Sequence, residues 1–156
     1  MYFTTYSSPG SIKRAAMDGS APSELVSGLN NPAGITIDFQ NSRLYWTCAG
    51  DAKIESSDMQ GRDIQSTLQR PSNSFTFGIG LTTDRLYWTD HQGNKIGSST
   101  KTGQDTRDLY PGASGLNHVS VVPRSNHPSR NRTNHCENKA CSKVCVLTRT
   151  SSRCMS

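Results

Sequence analysis

The stretch that decides the fold is Leu86-Tyr87-Trp88-Thr89-Asp90, because the chain contains it more than once. It appears 42 residues earlier as Leu44-Tyr45-Trp46-Thr47, with Cys48 in the place of the aspartate. A worn copy opens the chain as Tyr2-Phe3-Thr4-Thr5. Other columns keep the same step: Ile12, Ile54 and Ile96, then Gly19, Gly61 and Gly103, each 42 residues apart. Ile37, Ile79 and Val121 read as a third such column. Several columns at one fixed period identify a repeat architecture.

Within a unit, Ile35-Thr36-Ile37-Asp38-Phe39 and Phe75-Thr76-Phe77-Gly78-Ile79 alternate apolar and polar residues, the pattern of a strand with one buried face. Polar turns follow, at Gln40-Asn41-Ser42-Arg43 and Thr82-Thr83-Asp84-Arg85. The Leu-Tyr-Trp-Thr strand comes next, rich in residues that suit a pleated surface. A third strand runs through Ile54 or Ile96, and Gly19, Gly61 or Gly103 takes the tight turn after it, where positive φ favours glycine. An outer strand ends each unit near Leu25, Leu68 and Leu109. Four antiparallel strands per unit is the content of a propeller blade. The fold class expected is therefore all-β, with blades at about 1–29, 30–71 and 72–113 and a closing strand at 118–122.

Pro32-Ala33-Gly34-Ile35-Thr36-Ile37-Asp38, then Leu44 to Thr47, then Ile54 and Gly61, resembles the YWTD repeats of the low-density lipoprotein receptor family. The resemblance covers residues 1–122 and implies a six-bladed β-propeller, of which this chain holds three blades. It implies that Tyr45, Trp46, Thr47, Tyr87, Trp88 and Thr89 build the scaffold. It further implies that Asp90 hydrogen-bonds across to fix one blade to the next, a role that Thr5 and Cys48 cannot take. Three blades make half a ring, which would leave two apolar blade faces open. Val119 to Val121 would pair beside Tyr2–Thr4 if the ring closed on itself.

After Val121 the alternation stops, and residues 123–135 read as a linker. Four cysteines follow, Cys136, Cys141, Cys145 and Cys154, which allow three pairings. Their spacing resembles a truncated EGF-like module over 136–156, and that resemblance selects Cys136–Cys145 and Cys141–Cys154. A zinc site on these thiolates, with His135, would want paired CxxC knuckles, and none occurs. Disulfides indicate an oxidising compartment, as does the glycosylation sequon Asn131-Arg132-Thr133. Cys48, on an inner strand, reads as a small buried hydrophobe.

Charge narrows the function classes. Residues 1–122 carry ten Lys/Arg against eleven Asp/Glu, and residues 123–156 carry seven against one, so the net +5 is a tail of +6 on a body of −1. That tail lacks the aromatic interleaving or recognition helix of a nucleic-acid reader, so no nucleic-acid partner is expected. No run approaches the ~18 apolar residues of a membrane span, and the first residues show no signal peptide. A membrane is expected only through a parent chain, and a longer parent is expected to supply the remaining blades.

The expected function is that of a non-enzymatic protein-binding module of an extracellular or endocytic receptor related to the lipoprotein receptors. Its partners would be protein ligands, neighbouring modules or the missing blades. A secreted matrix adhesion protein of the nidogen kind is the alternative, and a propeller hydrolase a more distant one. The inner-strand residues Ile37, Asp38, Ile79, Gly80, Val121 and Val122 include one carboxylate, and no nucleophile–base pair, phosphate loop or HExxH occurs. No catalytic residue, metal or cofactor is expected. His91 and His118 are the histidines placed to titrate near endosomal pH.

Overall fold

The computed structural model describes residues 1–112, 114–122 and the strands Val144–Leu147 and Ser152–Met155. The cysteine pairing, the zinc alternative, the sequon at Asn131 and the linker lie outside what is described. The fold is all-β. Its one helical element among the described residues is a single 3-10 turn, Ala49–Asp51.

Sheet 1 comprises β1 (Tyr2–Thr5), β2 (Gly10–Arg14) and β3 (Ser23–Leu29), in that order. Sheet 2 comprises β4 (Pro32–Asp38), β5 (Arg43–Cys48), β6 (Lys53–Asp58) and β7 (Gln65–Gln69). Sheet 3 repeats that meander with β8 (Thr76–Leu81), β9 (Arg85–Asp90), β10 (Lys95–Thr100) and β11 (Arg107–Pro111). All pairings are antiparallel. Two further strands, β12 (Val144–Leu147) and β13 (Ser152–Met155), pair with Cys145 opposite Cys154 in the register.

The Tyr-Trp-Thr word sits on the second strand of sheets 2 and 3, and period-2 alternation sends its side chains to opposite faces. Trp46 packs with Leu44 and Cys48 against Ile12, Val26 and Leu29 of sheet 1. Tyr45 and Ile54 go the other way, against Ile79, Leu86 and Trp88 of sheet 3. Each word therefore fills two interfaces, and both tryptophans are wholly buried. Burying such an aromatic contributes on the order of 3 kcal/mol. Gly19, Gly61 and Gly103 occupy the turns before the outer strands at φ of 85°, 79° and 79°.

The open faces differ from expectation. On the far side of sheet 3, Leu116 and Val119 pack onto Tyr87 and Ile96, so residues 116–121 cover that face. On the far side of sheet 1, the places of Trp46 and Glu55 are taken by half-buried Phe3 and by Lys13, which forms an ion pair with Glu24 at 4.0 Å. A charged pair beside one aromatic is not a bare apolar face. Nor does the arc close on itself: among the described residues β1 pairs only with β2, and 116–121 joins no sheet.

The third sequence column is also corrected. Ile37 lies opposite Leu44, whereas Ile79 lies opposite Trp88, the place held in sheet 2 by Ile35 opposite Trp46. The hairpin between first and second strands is two residues longer in sheet 2, and isoleucine happens to occupy both offsets. Ile37 corresponds to Leu81, which faces Leu86.

Candidate protein-binding end

The hydrogen bonds that join the sheets do not use Asp90 as the resemblance implied. Thr47 Oγ1 accepts from the Gly34 N–H of its own sheet at 2.9 Å and donates to the Phe77 carbonyl of the next at 2.7 Å. Thr4 Oγ1 likewise donates to the Ala33 carbonyl at 2.7 Å. Thr4 and Thr47 thus supply sheet-to-sheet bonds at this end, and Tyr2 adds another by donating its hydroxyl to the Met59 carbonyl at 3.2 Å. Asp90 stays at one end of its own sheet, accepting from the N–H groups of Phe75 at 3.1 Å and Gly93 at 2.8 Å. Burial pushes its acidity down, but those N–H donors, helped by Ser74 and Lys95, outweigh burial and hold its pKa below the ordinary carboxylate value. Its work is to tie the connector from sheet 2 to the turn after β9.

Sheet 2 solves the same problem without an aspartate at the end of its second strand. Cys48 occupies that place, and Asn30, in the connector, donates instead to Asp51 in the turn at 2.9 Å. Cys48 points to Glu55, whose Oε2 lies 3.3 Å from both the thiol and the Trp46 indole nitrogen. Lys53 closes the group, 3.0 Å from Glu55 and 3.3 Å from Asp51. Burial first, then the Glu55 charge, pushes the Cys48 thiol up to about 12, so near neutral pH it is protonated as well as wholly buried. In sheet 3 the residue facing the tryptophan is Gly97, and Arg70 lies over the indole ring at 5.5 Å.

The opposite end of the sheets is held by a device the sequence displays and the repeat reading missed. Arg43 bonds Asp63 at 2.8 Å and Ser56 at 3.2 Å, while Arg85 bonds Asp105 at 2.8 Å and Ser98 at 3.0 Å. These three residue columns keep the 42-residue step. Lys101 crosses from sheet 3 to buried Asp38 of sheet 2 at 2.5 Å. Burial works against the charged carboxylate, yet Asn41 and Lys101 more than offset it and keep Asp38 below the usual value.

Tyr45, Trp46, Thr47, Tyr87, Trp88, Thr89 and Asp90 are all buried and available to no ligand. No group of metal-binding side chains occurs among the described residues. Asp38, the one inner-strand carboxylate, is already engaged by Lys101 and Asn41.

Among the exposed large apolar side chains Tyr6 belongs to a run of rings at the Asp90 end, whereas Phe39, Met17 and Ile64 lie outside it. Tyr6, just past β1, is half exposed, and its ring lies 5.8 Å from that of Phe77. Phe77 stacks on Phe75 at 6.0 Å, and Phe75 meets the exposed His91 imidazole edge-on at 6.4 Å. The run joins sheet 1 to sheet 3, and the residue in Phe77's place in sheet 2 is Ala33, small enough to leave room for the meeting. Aromatic rings partly open to solvent, with a polar phenol and imidazole at the two ends, offer contact area at small entropic cost.

No protein-family model matches this chain. Among solved structures it is similar to nidogen in a nidogen/laminin complex, at 29% identity and a TM-score of 0.69 over 78% of this chain and 48% of that one. It is similar also to a gluconolactonase from Xanthomonas campestris, at 18% identity, TM-score 0.61, over 72% and 38%. A virginiamycin B lyase from Staphylococcus aureus matches at 21% identity, TM-score 0.60, over 80% and 42%. The chain thus spans about half of the nidogen chain and less of the two enzymes. The shared feature is the propeller fold, which hosts both binding proteins and enzymes.

Proposed function

We propose that the chain is a non-enzymatic protein-binding module, and that it takes a protein ligand across Tyr6, Phe77, Phe75 and His91. The observation that carries this reading is the run of partly exposed rings, in a molecule whose repeat residues are otherwise consumed by packing. Binding hot spots concentrate in aromatic clusters of this kind. The setting proposed is an extracellular or cell-surface protein related to the lipoprotein receptors, with an EGF-like tail stapled by disulfides. A second reading, a secreted matrix adhesion protein, is favoured by the 29% identity to nidogen in its complex with laminin.

The test is biolayer interferometry of the full chain against laminin and against the ligand-binding modules of lipoprotein receptors. Tyr6→Ala and Phe75→Ala variants run alongside. The reading expects saturable binding to one of these that each variant weakens at least ~10-fold, the size of a moderate hot spot. Binding that both variants leave intact would sink the assigned surface. Metal-dependent lactone hydrolysis abolished by a chelator would instead support the enzyme class of the gluconolactonase neighbour.

A further inference from the structure

Sheets 2 and 3 have four strands, sheet 1 has three, and one extended segment has no sheet. These facts are complementary. Among the described residues the strand absent from sheet 1 is the inner one, which in the other sheets pairs with the Tyr-Trp-Thr strand; its equivalent partner, β1, presents an edge that no described strand covers. The segment without a sheet, 117–121, lies where an inner strand belongs. A Cβ built on Gly34 would fall 2.5 Å from the Phe77 carbonyl oxygen and 2.9 Å from the Ile79 nitrogen. One built on Gly78 would fall 3.0 Å from the Asn117 oxygen and 2.9 Å from the Val119 nitrogen. Asn117, His118 and Val119 therefore stand to sheet 3 as Phe77, Gly78 and Ile79 stand to sheet 2.

A third observation points to the same gap. Thr47 and Thr89 each accept an N–H from the inner strand of their own sheet, from Gly34 at 2.9 Å and Gly78 at 2.8 Å. Thr4 occupies the same register place, opposite Ile12 as Thr47 is opposite Ile54, and it donates to Ala33 with no such donor bonded to it among the described residues. The equivalence just derived names the donor it lacks: the backbone N–H of a His118.

The two halves of this junction sit at opposite ends of the three sheets, and the described residues do not join them. We propose that two copies of this chain do, each lending residues 117–121 to the β1 edge of the other. Val119 would lie opposite Phe3 and Ser120 opposite Tyr2, antiparallel, with His118 N–H donating to Thr4 Oγ1. The two junctions are identical and related by a two-fold axis, an isologous arrangement that closes. Free strand edges are templates for pairing of this kind. Three sheets from each copy then complete a closed ring, each sheet having four strands. The junction would lie beside Tyr6 but does not rest on ligand binding there, and His118→Gly leaves all four rings of that surface unchanged, so either can fail alone.

One residue resists the junction. His118 stands where the other inner strands have Gly34 and Gly78, and its side chain would face the backbone of the partner's β4. The ring closes there with wider spacing, and removing that side chain should tighten it.

The experiment is sedimentation of the full chain over a concentration series. The expected result is a reversible dimer of the 17.0 kDa chain. A synthetic peptide spanning residues 116–122 should dissociate it, and the same peptide N-methylated at the His118 nitrogen should not. His118→Gly should tighten the dimer about tenfold, the effect of relieving one overpacked contact. A chain monomeric at every concentration overturns the proposal, as does a dimer indifferent to both the peptide and His118→Gly.

Discussion

Replacing Thr47 by valine keeps the shape of the side chain and deletes its hydroxyl. Thr47 is wholly buried and its hydroxyl makes two bonds, one to the Gly34 N–H at 2.9 Å and one to the Phe77 carbonyl at 2.7 Å. Valine strands both partners, each partly buried between sheets. At ~1–1.5 kcal/mol per stranded neutral group, the expected loss is ~2–3 kcal/mol. Thr4→Val removes one cross-sheet bond at a half-buried position, so it should lose only ~1 kcal/mol. Thr47→Ser keeps the hydroxyl and gives up a methyl, for ~1 kcal/mol.

Urea unfolding followed by tryptophan fluorescence reads this directly, because Trp46 and Trp88 lie on either side of the sheet 2 framework and both are buried. The m-value should not change, since the same surface is exposed on unfolding. The reasoning is refuted if Thr47→Val stays within ~0.5 kcal/mol of the parent, the range of substitutions that touch nothing important. It is refuted equally if Thr47→Ser falls as far as Thr47→Val, which would make the methyl, not the hydroxyl, the joint between sheets.

Gly34→Ala should destabilise by ~2–3 kcal/mol, because its Cβ would meet Phe77 backbone at 2.5 Å, and the same unfolding assay checks it. Cys48, with its thiol at about 12, should resist a thiol-specific chromophore in the folded chain and react at once in denaturant. Asp38 and Asp90 are both held below an aspartate's ordinary pKa of 3.8 in the fold. Their contribution is therefore present above that pH and lost as pH falls through the folded values, so the unfolding midpoint should drop below about pH 4. Asp38→Asn, measured at neutral pH and in acid, should remove part of that acid slope while costing stability at neutral pH through the unpaired Lys101.

The sequence shows the strands, and the reason is local. Alternation at Ile35 to Phe39, a glycine at φ 79° in the turn at Gly61, and tryptophans that fill two interfaces all express themselves within a few residues. The register of the first strands was not legible. Ile37 and Ile79 fall 42 apart, but the sheet 2 hairpin is two residues longer and only pairing with Leu44 or Trp88 reveals it. The aspartate's role was misread for a similar reason. Spacing puts Asp90 at a strand end but does not say which backbone N–H groups converge there, and those turn out to be Phe75 and Gly93. The threonine bonds could have been anticipated from Thr47 and Thr89, since a buried hydroxyl next to a glycine-bearing strand has few other partners. The Arg43–Asp63 and Arg85–Asp105 pairs were visible as columns and went unread.

The run of rings was not legible because it obeys no period. Tyr6, Phe75, Phe77 and His91 belong to three different segments, and no column of the repeat contains them together. That irregularity is itself the argument for function. A repeated residue in this fold answers a demand that every sheet makes, which is to fill an interface or close a turn, and burial of the Tyr-Trp-Thr words shows the demand being met. An aromatic that appears once, at an end of the sheets and partly open to water, answers no such demand. Removing Tyr6 should hardly disturb the packing of the sheets, since it lies half exposed beyond β1, whereas removing Trp46 would empty an interface. Stability and binding are therefore separable here, so that Tyr6→Ala can weaken ligand capture with the unfolding midpoint unmoved.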